Sequence, residues 1–449
     1  MVLARWSPAW FPKDRLFRST VLLSGSTLLT QVVALCMAPV YARLYAPADY
    51  GVFSQFYSVV CTLLTVGCFC FELAIPTAKE DEEALALVVL SLACLGVIAL
   101  GSLAWGALCV WRFGHASGMA HPIYLLLVPL AVLPAGLYRI TQYWAIRVQA
   151  FKAIAGTVVR QMIGSQTVNL SFGLFRPCPL GFILGRIVNW SAGLGSLSHT
   201  TGLAAMLKSN RRSVFSLRRL WDTAKKYRQY ALTQCPSTLF NALGLNLPGL
   251  LMLPYFGAEI AGQFDLAQQI GRIPIGLVGA AVSQVFFSEA AAAARNDPAK
   301  LRPLFNSFSR KLGLLSLLVM VPFLLAPRLV PMLFGARWHM AGWLTAWLGF
   351  GLAFQFWSSP LSNMPNVVGK LKGQLIIDAT RAASVFTILY LSCHFSLGVK
   401  TAVICYSSVL AANYVACQLL YYRQAVSYSK RAFLKRDLEP TLLPSAPHQ

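Results

Sequence analysis

The sequence predicts an all-α integral membrane protein of about twelve transmembrane helices in two six-helix halves. Apolar runs of roughly 20 residues, each long enough to cross a bilayer, alternate with short polar segments. Of the 449 residues 57% are hydrophobic and 12% are charged, whereas soluble domains carry roughly 25% charged residues. Lys and Arg crowd into alternate polar segments, as in membrane proteins oriented by their basic loops. A soluble protein is therefore excluded.

The apolar runs define the predicted helices in chain order. A first half, residues 21–203, contains six runs, and a second half, residues 231–421, contains six more. An even number of spans places both termini on one side of the membrane. The predicted spans are 21–41, 50–70, 85–110, 123–145, 157–175, 180–203, 231–253, 262–287, 312–332, 342–363, 375–395 and 401–421.

The basic residues predict the orientation. The net charge of +23 arises from 38 Lys and Arg against 15 Asp and Glu. Basic residues in short loops resist translocation, so the side that holds most of them is predicted to be cytoplasmic. That side includes the N-terminal segment 1–20, the linker 204–230 and the tail 422–449. The N-terminal segment has no apolar run or small-residue cleavage site before residue 21, so we expect no removable signal peptide.

Two basic segments have amphipathic spacing. In the linker 204–230, eight Lys and Arg interleave with Val214, Leu217, Trp221 and Tyr227. This pattern predicts an interfacial helix on anionic headgroups, with a solvated linker as the alternative. A second segment, 299–308, is interpreted in the same way, because four apolar residues share one face. They are Leu301, Leu304, Phe305 and Phe308.

Signatures of enzymes and of nucleic-acid binding are missing from the sequence. No polar stretch is long enough to fold as a water-exposed DNA-binding domain. Nucleotide-binding glycine loops, nucleophile elbows and paired loop carboxylates are not found. The eleven Cys form no CxxC pair, and the six His show no metal-ligand spacing. We therefore predict no catalytic residue, no cofactor, no metal and no nucleic-acid partner, and expect membrane lipids as partners.

The charged residues within the spans are the candidate site. An Arg at the bilayer centre costs about 2.5–3.5 kcal/mol on an insertion scale, so it normally faces a polar cavity or a partner. Arg272 lies near mid-depth, two residues before Pro274, and is the strongest candidate for binding an anionic substrate. Three further arginines are candidates for the same role: Arg186, Arg139 and Arg381.

Acidic residues are few in the spans. Asp265 and Asp378 lie within spans and Glu72 lies just after span two, and all three are candidates for ion coupling or ion pairing. Asp378 lies three residues before Arg381, within side-chain reach on a helix. Asp265 lies seven residues before Arg272, on roughly the same face. Ion pairs that only hold helices together are the alternative interpretation.

The two halves resemble each other weakly. Tyr45 and Phe256, Gly51 and Gly262, and Phe53 and Phe264 match at one offset of 211 residues, each after the first span of a half. Six spans per half make the repeats parallel, and transporters built in this way bind substrate between the halves.

At the level of motifs the chain resembles a known family. The stretches 39–53, 71–75, 79–84, 256–262 and 284–287 are similar to Wzx-type O-antigen and polysaccharide flippases. These belong to the multidrug/oligosaccharidyl-lipid/polysaccharide (MOP) exporter superfamily, and the resemblance covers roughly residues 15–425. It implies a MATE-like fold that moves an undecaprenyl-diphosphate-linked oligosaccharide across the bacterial inner membrane by alternating access. It also implies a role in lipopolysaccharide biosynthesis, with a polysaccharide polymerase and chain-length machinery as further partners.

Two other functions stay open on sequence grounds. A cation-coupled multidrug antiporter of the same superfamily would favour cavity carboxylates, whereas arginines suit a diphosphate. An integral-membrane glycan polymerase or glycosyltransferase would need a large outer loop or outer acidic residues, and the predicted outer loops are short.

Overall fold

The computed structural model describes residues 15–113, 122–209, 216–368 and 372–438. Within these ranges the regular elements are helices, and no strand is present. Lipid offers the backbone no hydrogen-bond partner, so a chain this apolar must satisfy its amide groups within helices.

The α-helices carry labels in chain order. They are α1 (Arg15–Leu44), α2 (Pro47–Val66), α3 (Asp81–Phe113), α4 (Val128–Arg147), α5 (Phe151–Phe175), α6 (Pro179–Ser191), α7 (Leu194–Thr200), α8 (Leu203–Ser209), α9 (Leu217–Lys226), α10 (Cys235–Pro274), α11 (Ala280–Asn296), α12 (Leu301–Phe334), α13 (His339–Ser358), α14 (Met364–Val368), α15 (Lys372–His394) and α16 (Val399–Leu438).

Several of these helices can cross a membrane. In the described part of the chain, 7 helical segments are long and apolar enough, and α2 with the turn Phe71–Thr77 makes up to 8, with a bend of 51°. The twelve predicted apolar runs all fall on helical segments. Runs seven and eight share the continuous segment Tyr230–Gly279. The predicted all-α membrane class is therefore confirmed.

Glycine and proline interrupt the predicted spans. Gly257 has φ 83° and ψ 166° and divides α10 between spans seven and eight, a conformation that glycine adopts without a Cβ clash. Helix α10 ends at Pro274, and the chain continues as the π-helical turn Ile275–Gly279, because proline lacks the backbone donor that an α-helix needs. Span six is also not one helix. It stops at Ser191 and resumes after Gly193, whose φ is 81°.

The described residues form two compact units. The first unit takes its residues from Met1–Tyr41, Leu63–Gly114 and Pro122–Cys235, and the second from Ala42–Thr62 and Pro236–Gln449. Most of α2 thus belongs to the second unit, whereas the sequence pattern places it in the first half. The predicted boundaries of the halves and of the linker stay a prediction.

In the second unit, α2 and α10 cross at two glycines. A Cβ at Gly51 would lie 2.0 Å from the carbonyl oxygen of Ala258, and a Cβ at Gly262 would lie 1.7 Å from that of Pro47. The two contacts are equivalent, because Gly262 corresponds to Gly51, and Ala258 to Pro47, at the offset of 211 residues. Small residues allow membrane helices to approach this closely. The repeat in the sequence therefore marks a helix crossing.

The described part of the linker contains α8 and α9. Leu217 and Trp221 of α9 are 84% and 74% exposed, which is the arrangement that an interfacial helix requires. The predicted contributions of Arg211, Arg212 and Val214 lie outside the described residues.

Charged contacts hold α9 to the start of α3. The Arg219 guanidinium lies 2.6 Å from Glu82, and the Lys226 ammonium pairs with Glu83. The hydrogen bond to Glu83 raises the pKa of Lys226 above its ordinary value. Charge on one side and exposed apolar groups on the other make α9 amphipathic in three dimensions.

The second segment, 299–308, corrects one part of the sequence interpretation, the placement of its apolar face on the membrane surface. Leu301 and Phe305 are buried among Phe286 and Tyr421 in a core cluster of the second unit. The apolar face of this segment packs on protein and therefore cannot rest in lipid headgroups.

Candidate functional site

Arg272 lies on the last turn of α10 in the second unit. Its side chain is exposed, and its guanidinium donates a hydrogen bond to the side-chain oxygen of Gln268, one turn earlier. Among the residues that the structure describes Arg272 forms no ion pair, and the neutral amide of Gln268 leaves its positive charge uncompensated. This arginine can therefore still offer a full charge and further N–H donors to an anion.

Asp265 accepts hydrogen bonds from α2 and from its own helix. Ser54 Oγ of α2 donates to its carboxylate at 2.9 Å, and Gln269 Nε2 donates at 2.6 Å. Ser54 and Asp265 are themselves offset by 211 residues. Asp265 thus takes part in the glycine crossing through Ser54.

Asp378 and Arg381 form an ion pair on α15. Their closest charged atoms are 3.1 Å apart, and the residues are only 4% and 5% exposed. Arg381 also donates to Asn241 Oδ1 of α10 at 2.5 Å, and its guanidinium lies 5.9 Å from the Tyr414 ring centroid. Gln374 Nε2 donates to both carboxylate oxygens of Asp378 at 3.1 Å. The buried charges are matched, and hydrogen bonds supplement them.

Tyr406 of α16 lies in the interior of the second unit. Its ring packs edge-on against Phe264 of α10, with centroids 6.0 Å apart. The second unit contains two of the four predicted arginines, Arg272 and Arg381. One of them is neutralised and the other is not.

Glu72 and Arg139 form a second ion pair, in the first unit. Arg139 Nη2 lies 2.9 Å from Glu72 Oε1, and the side chains are 30% and 1% exposed, respectively. Arg139 Nη1 also donates to the carbonyl oxygen of Leu64 at 3.1 Å. Glu72 follows Phe69 and Cys70, whose φ values of 49° and 61° end α2 and turn the chain into Phe71–Thr77.

Arg186, on α6 of the first unit, is half-buried. Its guanidinium carbon lies 5.8 Å from the ring centroid of Trp190, one turn later. This cation–π contact holds the side chain against its own helix.

Sequence reasoning missed several polar neighbours of these charges. Gln268 and Gln374 each lie four residues from the charged group that they contact, so helical spacing could have found them. Asn241 comes from another helix, and only tertiary packing reveals it. Among the described residues, no three His, Cys, Asp or Glu side chains lie together as metal ligands.

The fold has known counterparts among solved structures. It is similar to an inward-facing multidrug resistance MATE family transporter of the MOP superfamily, with TM-score 0.58 and 17% identity over 91% of this chain and 95% of that one. It is also similar to the lipid II flippase MurJ in an inward closed conformation, with TM-score 0.65 and 13% identity over 95% and 94%. A MOP superfamily transporter from Pyrococcus furiosus matches with TM-score 0.56 and 14% identity over 91% and 95%.

These similarities show that the chain has the fold of MOP superfamily membrane transporters. The profile of a family described as polysaccharide biosynthesis protein matches residues 40–342, and the chain belongs to that family. No curated protein sequence matches the chain. The resemblance to the MOP superfamily, inferred from the sequence motifs, is thereby confirmed.

Proposed function

We propose that the chain is a flippase that moves an undecaprenyl-diphosphate-linked oligosaccharide from the inner to the outer leaflet by alternating access. The observation that carries this proposal is Arg272, an exposed arginine within a predicted span whose hydrogen bond goes to a neutral amide. A diphosphate carries about two negative charges, and a guanidinium can bind its oxygens in a bidentate manner.

Family membership supports the same substrate class. The matched family is one of polysaccharide biosynthesis proteins, and a structure of similar fold is a lipid II flippase. We therefore propose an O-antigen or another surface polysaccharide unit as the cargo, in lipopolysaccharide biosynthesis or polysaccharide export. The cargo leaves unchanged, so the protein is not an enzyme, and polymerase and chain-length machinery receive it.

The other charged residues have three different roles under this proposal. Arg381 and Arg139 are engaged with carboxylates, so we assign them to holding helices rather than to direct binding. Arg186 is a second binding residue. Asp265, which is partly exposed beside Ser54, is the candidate for coupling to a cation gradient.

We also propose that the protein lies in the bacterial inner membrane with both termini in the cytoplasm, because most basic residues fall on that side of the twelve-span pattern. Reporter fusions at Ser209 and Gln449 should both report the cytoplasm. Opposite locations for the two reporters would contradict the span count.

The test of function is leaflet exchange of a labelled lipid-linked oligosaccharide in vesicles that contain the purified protein. Arg272→Ala should slow exchange about 10-fold or more at equal protein level, since a hydrogen bond to a charged group contributes about 1.5–3 kcal/mol. Arg272→Lys should retain part of the rate as a point charge. Arg295→Ala, at an exposed position near the end of α11, is the matched control and should behave as wild type.

Three outcomes would overturn the proposal. Full activity of Arg272→Ala would remove Arg272 from the binding site. Transport of cationic drugs without transport of the oligosaccharide would identify a multidrug antiporter. Chemical modification of the oligosaccharide would identify a polymerase or glycosyltransferase.

A further inference from the structure

Helix α12 has two contrasting faces. One face is buried in the second unit through Leu301, Phe305, Leu312, Phe323 and Val330. The opposite face is exposed from its first turns to beyond the middle of the helix. Residues on that face recur every three or four positions, so they form one continuous surface.

The first part of the exposed face is basic. A groove of about 540 Å³ lies against it and is lined by Arg302, Pro303, Asn306, Ser307, Arg310 and Lys311. Its described lining residues include three cations, two neutral hydrogen-bonding side chains and no carboxylate. Asp297, in the turn before the helix, is 3.3 Å from Lys300. The groove is therefore complementary to an anion that carries several acceptor oxygens.

The next part of the same face is apolar. Six exposed side chains follow the groove at helical spacing: Leu314, Leu317, Leu318, Val321, Leu324 and Leu325. The axial distance from Arg310 to Leu325 is about 22 Å at 1.5 Å per residue. One leaflet contributes about 15 Å of hydrocarbon. A lipid chain whose headgroup lies in the groove therefore finds apolar surface along its whole length.

We propose that this face of α12 binds an anionic glycerophospholipid, with the phosphate in the groove and the acyl chains along the leucine-rich stripe. A zwitterionic lipid carries its own cation beside the phosphate, so three basic side chains favour a lipid with net negative charge. The site lies on a different helix from Arg272 and does not depend on the proposed function.

Native mass spectrometry of the full chain, purified with phosphatidylglycerol and phosphatidylcholine in equal amounts, tests this assignment. The variant pair Arg310→Gln and Lys311→Gln should weaken retention of phosphatidylglycerol about thirty-fold, as expected for two basic residues near a lipid headgroup. Retention of phosphatidylcholine should not change. The control removes two exposed charges outside the groove, by Arg295→Gln with Lys430→Gln, and should retain phosphatidylglycerol like wild type.

Equal retention by the groove variant and wild type would overturn the proposal, and so would equal losses in groove and control variants. A third measurement adds undecaprenyl diphosphate. If the groove variant loses undecaprenyl diphosphate but keeps phosphatidylglycerol, the occupant is the polyprenyl carrier and the proposal is wrong. Should the double variant fail to fold, Arg310→Gln and Lys311→Gln are measured singly, each with an expected loss of about five-fold.

Discussion

Arg381 and Arg272 are both arginines of predicted spans in the second unit, yet their surroundings are opposite. Arg381 is 5% exposed and lies 3.1 Å from Asp378. Arg272 is exposed, and its guanidinium donates to the neutral amide of Gln268. Depth in a span indicates that an arginine needs a polar partner. The comparison shows that depth does not reveal whether that partner cancels the charge.

Because of this difference, we expect the loss of Arg381 to affect folding and the loss of Arg272 to affect function. Removing one member of a buried pair leaves an uncompensated charge in a low-dielectric site, which destabilises by about 3–5 kcal/mol. Removing an exposed arginine leaves no buried charge behind. We therefore expect substitutions at Arg381 to act on the amount of folded protein, and substitutions at Arg272 to act on binding.

The largest expected effect is that of Arg381→Met. Methionine keeps much of the side-chain volume beside Gly244, where Arg381 now packs. It leaves the buried Asp378 carboxylate without its cation. Most of the folded protein should be lost, as measured by fluorescence-detected size exclusion of detergent-solubilised membranes. Arg272→Met, the same substitution at the exposed arginine, should leave the level unchanged.

The double variant Asp378→Asn with Arg381→Met sharpens the comparison. It removes both charges, so it should recover a large part of the level lost by Arg381→Met alone, because contacting residues couple. Strictly additive losses would show that the pair is not an energetic unit.

The next-largest effect tests in the first unit whether a buried charge that loses its partner destabilises the protein more than an exposed charge that loses its partner. Arg139→Gln leaves Glu72, which is 1% exposed, without its cation. Glu72→Gln leaves Arg139 30% exposed and still bonded to the Leu64 carbonyl, and a long side chain can extend toward water. Arg139→Gln should therefore lower the thermal unfolding midpoint and membrane level more than Glu72→Gln. Equal losses would mean that the partial exposure of Arg139 does not lower the cost of leaving its charge unpaired.

Local spacing explains which parts of the site the sequence could predict. The Asp378–Arg381 contact follows from three-residue spacing on one helix, and the apolar runs are long enough to predict the all-helical membrane class. The contact of Ser54 with Asp265 joins residues 211 positions apart. Glu72 and Arg139 also come from separate elements. Helical periodicity carries no information on such pairs, because packing between helices decides them.

The two amphipathic segments show a second limit. Both have apolar residues on one face, yet Trp221 of α9 is exposed while Phe305 of α12 is buried against Phe286. A hydrophobic stripe predicts that a face leaves water, and lipid and protein satisfy this requirement equally. Only the tertiary structure tells which of them covers the stripe.

The smallest expected effect converts Arg272 into a paired arginine like Arg381. Gln268→Glu is nearly isosteric and places a carboxylate where the amide now accepts the Arg272 hydrogen bond. The protein level should fall only slightly, because the carboxylate at residue 268, which is 9% exposed, pairs with the Arg272 guanidinium, and that pairing offsets most of the cost of burying its charge. Leaflet exchange of the lipid-linked oligosaccharide should slow several-fold, because the carboxylate competes with the diphosphate for the guanidinium. Gln268→Ala should slow it less. In an Arg272→Ala background, Gln268→Glu should cause no further loss, and an additional loss of equal size would show that residue 268 acts independently of Arg272.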